Sequence, residues 1–180
     1  MTQPTPVRIG TSDLAVAPLA LGGNVFGWTA DRDTSFEVLD AFVAGGGNFI
    51  DTADGYSAWE PGNTGGESET IIGEWLGARG GRDRVTIATK VSSHPEFSGL
   101  AATNVLAAAD ASLGRLGTDH IDLYYAHFDD ADTPLAETVA AFSSLVDAGK
   151  VRAIGVSNYT ADRVAEWFRI ARDGGYHLPV

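Results

Sequence analysis

The strongest constraint on this chain is an alternation. Short apolar runs rich in β-branched residues are separated repeatedly by stretches whose apolar residues fall at helical spacing. That pattern belongs to repeated βα units around a parallel sheet rather than to segregated all-β or all-α regions. Val7 to Leu14 reads as an opening hairpin and Leu19-Ala20-Leu21 as a first strand. Thr34-x-x-Glu37 matches a capping box ahead of a helix whose inner face carries Phe36, Leu39 and Phe42 or Val43, and Gly45-Gly46-Gly47 ends it. Asn48-Phe49-Ile50 is the second strand, Ser68 to Leu76 the second helix and Val85 to Lys90 the third strand. Val105, Ala109, Leu113 and Leu116 face inward on the third helix, which Gly117 terminates, and Ile121 to Ala126 is the fourth strand. Thr133-Pro134 supplies an N-cap and a first-turn proline to a fourth helix built on Leu135, Val139, Phe142 and Val146 and closed by Gly149. Val151 to Val156 is the fifth strand. A helix with Val164, Trp167 or Phe168, and Ala171 follows, ending at Gly174-Gly175, and Leu178-Pro179-Val180 begins a sixth strand.

This makes about five βα units plus the start of a sixth strand, whereas a closed barrel of such units takes eight. The doubly wound open sheet is the structural alternative. It normally announces dinucleotide binding by Gly-x-Gly-x-x-Gly after the first strand, and neither Gly22-Gly23-Asn24 nor Gly45-Gly46-Gly47 fits that turn. No linker or low-complexity stretch divides the chain, so residues 1–180 read as one domain, or part of one. A formal net charge of -12 repels nucleic-acid phosphates and anionic lipid, which leaves a small molecule as the expected partner. With no cysteine, disulfides, thiolate catalysis and Cys-ligated zinc are excluded. The opening Met1-Thr2-Gln3-Pro4-Thr5-Pro6 lacks the layout of a secretory signal, and no apolar run approaches the ~20 residues of a membrane span. The expected compartment is the cytoplasm.

Ionisable residues recur at the C-terminal ends of successive strands, with Asp51 and Tyr56 after the second, Lys90 at the third and His127 after the fourth. In a (β/α)-barrel these ends share the rim where active sites are built. Alternation places Thr86, Ala88 and Lys90 on one face of the third strand and Val85, Ile87 and Thr89 on the other. A lysine facing a barrel interior needs a counter-charge, and Asp51 on the neighbouring strand end is the available anion. A cation beside the Tyr56 phenol would favour phenolate and tune it as a general acid. His127 shares a face with Leu123 and Tyr125 and is placed to orient a carbonyl oxygen. This reasoning reaches a proton-transfer site, and a hydride would have to come from a cofactor.

Gly47-Asn48-Phe49-Ile50-Asp51-Thr52-Ala53-Asp54-Gly55-Tyr56 with Gly66-Glu67-Ser68-Glu69, Ser112 to Tyr124 with His127, and Gly149 to Asn158 together resemble the aldo/keto reductase family in order and spacing. The resemblance implies a (β/α)8 TIM barrel, incomplete in this chain, and NADPH-dependent reduction of aldehydes or ketones to alcohols. It implies Tyr56 as proton donor, Lys90 and Asp51 as its electrostatic support and His127 as the group orienting the carbonyl. It further implies Ser157 and Asn158 on the nicotinamide carboxamide and Asp51 near the nicotinamide ribose.

Taken singly, these residues have plainer readings: a loop tyrosine, a turn aspartate, a snorkelling lysine, a hydrogen-bonded structural histidine. The joint pattern favours the site. Asp129, Asp130 and Asp132 read as a solvated loop rather than a metal site, and no metal is expected. Trp28 is the aromatic expected at the substrate mouth, with Trp59 as the other choice. Tyr124 and Tyr125 read as packing residues. Members of the family continue well past residue 180, so the chain is also expected to be a truncated product of weak or no activity, with self-association through open barrel edges. An NADPH-binding regulatory subunit of the same fold is the further alternative.

Overall fold

The computed structural model describes residues 5–180; Met1 to Pro4, part of the stretch read for a signal peptide, lie outside the described residues. An antiparallel hairpin of β1 (Val7–Arg8) and β2 (Ala15–Val16) comes first, then β3 (Ala20–Gly22), α1 (Arg32–Ala44), β4 (Phe49–Asp51), α2 (Glu67–Arg79) and β5 (Thr86–Val91). A small hairpin of β6 (Ser93–His94) and β7 (Phe97–Ser98) follows, and then α3 (Ala102–Leu116), β8 (Ile121–Ala126), α4 (Leu135–Asp147), β9 (Val151–Val156) and α5 (Ala161–Gly174).

Strand order decides between the two architectures left open above. The five-stranded sheet runs β3-β4-β5-β8-β9, every pair parallel, with no point at which the order reverses. A doubly wound sheet reverses at its switch point, whereas a barrel adds each strand beside the last. The helices agree, since each packs on the next from α1 through α5. The fold is therefore α/β with the incomplete barrel arrangement. Pro179 bridges to Ile154 and the Val180 N–H donates to the Ile154 carbonyl at 2.9 Å, so the expected sixth strand begins to pair on β9.

Alternation along the strands makes two apolar layers. Ile50, Ile87 and Tyr124 face the helices and, with Ile121 at the start of β8, cluster with Leu39, Ile72, Leu116, Phe142 and Trp167. Ala88, Leu123 and Ala153 face the other way, packing against Leu14 from the opening hairpin. Each large side chain removed from water in the first layer stabilises the fold by about 1.5–3 kcal/mol. At the N-terminal end of the strands, buried Asp122 accepts from Arg82 at 2.6 Å, from the Ile87 N–H at 2.9 Å and from Arg152 at 2.7 Å. That end is thus stapled by charge, and the opposite end is free to carry chemistry.

Several expected boundaries move. α1 starts a turn earlier than the Thr34 capping box predicts, because Asp31 is the N-cap and its carboxylate accepts from the Thr34 N–H at 2.9 Å. Arg32 then lies over the Phe36 ring at 4.2 Å and fixes that extra turn. α2 runs on to Arg79, which forks onto Asp40 of α1. On α4, Pro134 occupies the N-cap position, while the Thr133 hydroxyl donates to Asp130 at 2.7 Å instead of capping the helix. The acidic loop is likewise more than a solvated one. Asp129 takes both arms of Arg163 at 2.8 and 2.9 Å, and Asp130 accepts from the Leu100 N–H at 2.8 Å, tying the loop to the start of α3.

Candidate active site

Lys90 ends the inward-facing series of β5, and Asp51 of β4 is paired opposite Ala88, so both side chains face the barrel interior one pleat apart. Lys90 Nζ donates to Asp51 Oδ2 at 2.7 Å, to the Thr52 carbonyl at 2.8 Å and to the Tyr56 hydroxyl at 2.8 Å. An ammonium has three N–H donors, and all three are used. That saturation is what lets a lysine side chain only 8% exposed sit at the mouth of an apolar interior. The loop that brings Tyr56 here is held by backbone bonds to β5, from the Thr52 N–H to the Ala88 carbonyl at 2.8 Å and from the Asp54 N–H to the Lys90 carbonyl at 3.1 Å. Because Lys90 donates to the phenol oxygen, the phenol's own proton is left for another acceptor.

His127 follows β8 and meets the Tyr56 ring edge-on, centroids 5.8 Å apart. Burial, and after it the Lys90 ammonium, hold its imidazole down to about 4, so the ring is neutral at physiological pH. Phe128 stacks on it at 4.5 Å, and Ser93 Oγ lies 3.1 Å from Nδ1. The Asn158 amide donates to the His127 carbonyl at 2.8 Å and to Ser157 Oγ at 3.0 Å, which brings the exposed ends of β8 and β9 together. Gly55, Tyr56, Ala58, Trp59, Ser93, His127 and Phe128 line a cleft of about 430 Å³. Trp59, not Trp28, is in that lining; Trp28 stands behind it, edge-on at 5.6 Å. The three non-glycine residues with positive φ among those described are Ser57, Ser92 and Asn158, one after Tyr56, two after Lys90 and two after the end of β9. Backbone strain is concentrated at this rim.

The Aldo/keto reductase family profile matches residues 18–177. The chain belongs to the aldo/keto reductase family. It is 58% identical over 86 residues to an uncharacterized 11.2 kDa protein of Pseudescherichia vulneris, covering 47% of this chain and 84% of that one. It is 36% identical over 182 residues to norsolorinic acid reductase B of Dothistroma septosporum, covering 92% of this chain and 45% of the relative. It is 35% identical over 183 residues to the aryl-alcohol dehydrogenase [NADP(+)] of Phanerodontia chrysosporium, covering 90% of this chain and 46% of the relative. The chain thus spans a little under half the length of these two enzymes.

Four of the residues singled out from this aldo/keto reductase sequence, Asp51, Tyr56, Lys90 and His127, converge on one cluster, and Ser157 and Asn158 stand beside it. Sequence reasoning missed Ser93, Phe128 and the Thr52 carbonyl. The segment Ser92 to Ser98 shows neither alternation nor helical spacing, so nothing marks the β6–β7 hairpin that carries Ser93. Among the described residues, no group of three His, Asp or Glu side chains converges as a metal site, and no helix is long and apolar enough to cross a membrane.

Asp54 was also missed, and it is unlike its neighbour Asp51. It is fully buried with no hydrogen-bond partner for either oxygen, and the nearby N–H groups of Gly55 and Ser92 form no regular bond to it. Burial, then the Glu69 carboxylate, push its carboxyl up to about 8. The folded state therefore binds a proton that the unfolded chain releases near 3.8, and stability falls as pH rises between those values. Asp54→Asn is expected to remove that loss, gaining on the order of 1–3 kcal/mol over the parent at pH 8 and little at pH 4. Denaturant midpoints of both proteins across this range test it, because the difference cancels the titration of His127 and other shared groups. A gap that does not widen with pH would refute the assignment.

Proposed function

We propose that this protein reduces an aldehyde or ketone to an alcohol with NADPH as hydride donor, Tyr56 acting as the general acid. The observation that carries the reading is the saturated Lys90 ammonium, whose three donors are spent on Asp51, Thr52 and Tyr56 at the wall of a cleft that His127 also lines. A carbonyl oxygen in that cleft has the Tyr56 hydroxyl and the His127 imidazole as donors. As negative charge grows on it, Tyr56 gives up its proton, and Lys90, 2.8 Å from the phenol oxygen, stabilises the phenolate left behind. Asp51 holds the Lys90 ammonium aimed at the phenol. Burial keeps His127 neutral, so it orients the oxygen without competing as the proton source.

The nicotinamide, when bound, supplies the hydride that the protein's side chains lack. The half-buried Ser157 hydroxyl and the exposed Asn158 amide, held together next to His127, have the donors and acceptors a carboxamide needs. Asn158 adopts φ +57, in the left-handed region. These residues suit the nicotinamide end of the cofactor. Arg163, in the first turn of α5 beyond them, is committed to Asp129 and Glu166. The choice of NADPH over NADH draws on the relative named as an NADP(+) enzyme. Trp59 and Phe128 wall the cleft with aromatic surface, which favours an apolar, planar carbonyl compound.

The test is NADPH binding followed by quenching of Trp28 and Trp59 fluorescence, together with NADPH oxidation in the presence of 4-nitrobenzaldehyde. Saturable quenching with aldehyde-dependent oxidation is the expected result, with NADH weaker in both. Failure of NADPH to bind would overturn the proposal.

A further inference from the structure

Ser93 sits where two parts of the cluster meet. Its Oγ is 3.1 Å from His127 Nδ1, which is the only hydrogen-bond partner the imidazole has among the described residues, and its hydroxyl proton has no other acceptor among them. The placement is enforced from several sides. Ser92 takes the strained φ of +115, its carbonyl accepts from the Gly99 N–H at 3.2 Å and its hydroxyl accepts from the Phe128 N–H at 3.3 Å. That turn throws the chain out of β5 into the β6–β7 hairpin, where Ser93 pairs with Ser98. Across the cleft wall, Gly55 leaves no room to spare: a Cβ there would lie 2.6 Å from Ser93 Oγ and 2.8 Å from its carbonyl. The imidazole is held as firmly, between the stacked Phe128 ring and the edge of Tyr56.

A neutral imidazole carries one N–H, and the nitrogen bearing it is set by what the other one bonds to. We infer that Ser93 is a positioning residue which donates its hydroxyl proton to His127 Nδ1 and so keeps the ring proton on Nε2, free to donate to a carbonyl oxygen. The opposite tautomer would offer a bare lone pair at Nε2, which repels that oxygen. Lys90 supports the arrangement by disfavouring a second proton on the ring. The consequence for catalysis rests on the proposed reduction, whereas the tautomer is a property of the ring and is measured without substrate.

The experiment is long-range proton–nitrogen NMR of the histidine rings at neutral pH in the parent, Ser93→Ala and Ser93→Thr, with His127 assigned by the signals lost in His127→Gln. Expected are a pyridine-like Nδ1 and a pyrrole-like Nε2 in the parent, averaging of the two in Ser93→Ala, and recovery in Ser93→Thr. With one neutral hydrogen bond at about 1 kcal/mol, kcat/KM should fall about fivefold in Ser93→Ala and return with the threonine. A proton on Nδ1 in the parent, or a Ser93→Ala spectrum identical to the parent's, overturns the inference. If the tautomer shifts as expected while none of the proteins turns over a carbonyl, the inference stands and the proposed reductase activity falls.

Discussion

Replacing Tyr56 by phenylalanine is expected to lower kcat/KM for carbonyl reduction by about 10²–10⁴-fold, the contribution of a positioned general acid. Cofactor binding should be nearly unchanged, because the lost hydroxyl contacts Lys90 and faces the cleft rather than Ser157 or Asn158. The fold should tolerate it as well. Lys90 keeps Asp51 and the Thr52 carbonyl, and cleft water can take its third N–H, so the stability cost stays near about 1 kcal/mol. Steady-state kinetics beside a cofactor titration separate these effects. Retention of more than about a tenth of the activity would mean that another group delivers the proton, and His127 would be the next to vary.

Much of this candidate site is legible in the sequence, for a specific physical reason. Lys90, Asp51 and His127 stand at or just past strand ends, and strands in a barrel bring their C-terminal ends to one rim whatever the loops do. Period-two alternation then fixed the facing of Lys90, and a buried cation demands an anion, which Asp51 supplies at 2.7 Å. The misses follow from weaker rules. Asp31 and Thr34 are both good caps three residues apart, and the choice went to the carboxylate because Arg32 could then lie on Phe36. Thr133 preceding Pro134 looked like a cap, but its hydroxyl points to Asp130, donating there, and Pro134 takes the N-cap position. Ser93 lies in a hairpin without periodic pattern, and its use depends on a positive φ at Ser92 that no propensity indicates for serine. Asp51 and Asp54 are near neighbours in one turn, yet one is paired and the other is buried without a partner. Only three-dimensional packing separates them.

The second large effect is expected behind the site. Glu69, in the first turn of α2, is fully buried, accepts from the Thr89 hydroxyl at 2.5 Å and pairs with Arg115 of α3 at 2.6 Å. Arg115 crosses the start of α2 so closely that a side chain at Gly66, which has φ +84, would overlap its guanidinium stem. Arg115→Met should therefore destabilise the fold by about 3–5 kcal/mol, since it strands a buried carboxylate beside the equally buried Asp54. Exchanging both partners, Glu69→Met with Arg115→Met, should recover most of that loss, because the interaction and the desolvation it offsets leave together. Urea unfolding checks both, with an unchanged slope required for the comparison to hold. The Glu69 carboxylate, for all its place in the segment through which the family resemblance runs, thus acts on the fold: its partner Thr89 precedes Lys90 on β5, and the pair clamps α2 and α3 against the strand that presents the lysine. A single variant as stable as the parent would instead mean that water reaches Glu69, and the clamp would have to be sought elsewhere.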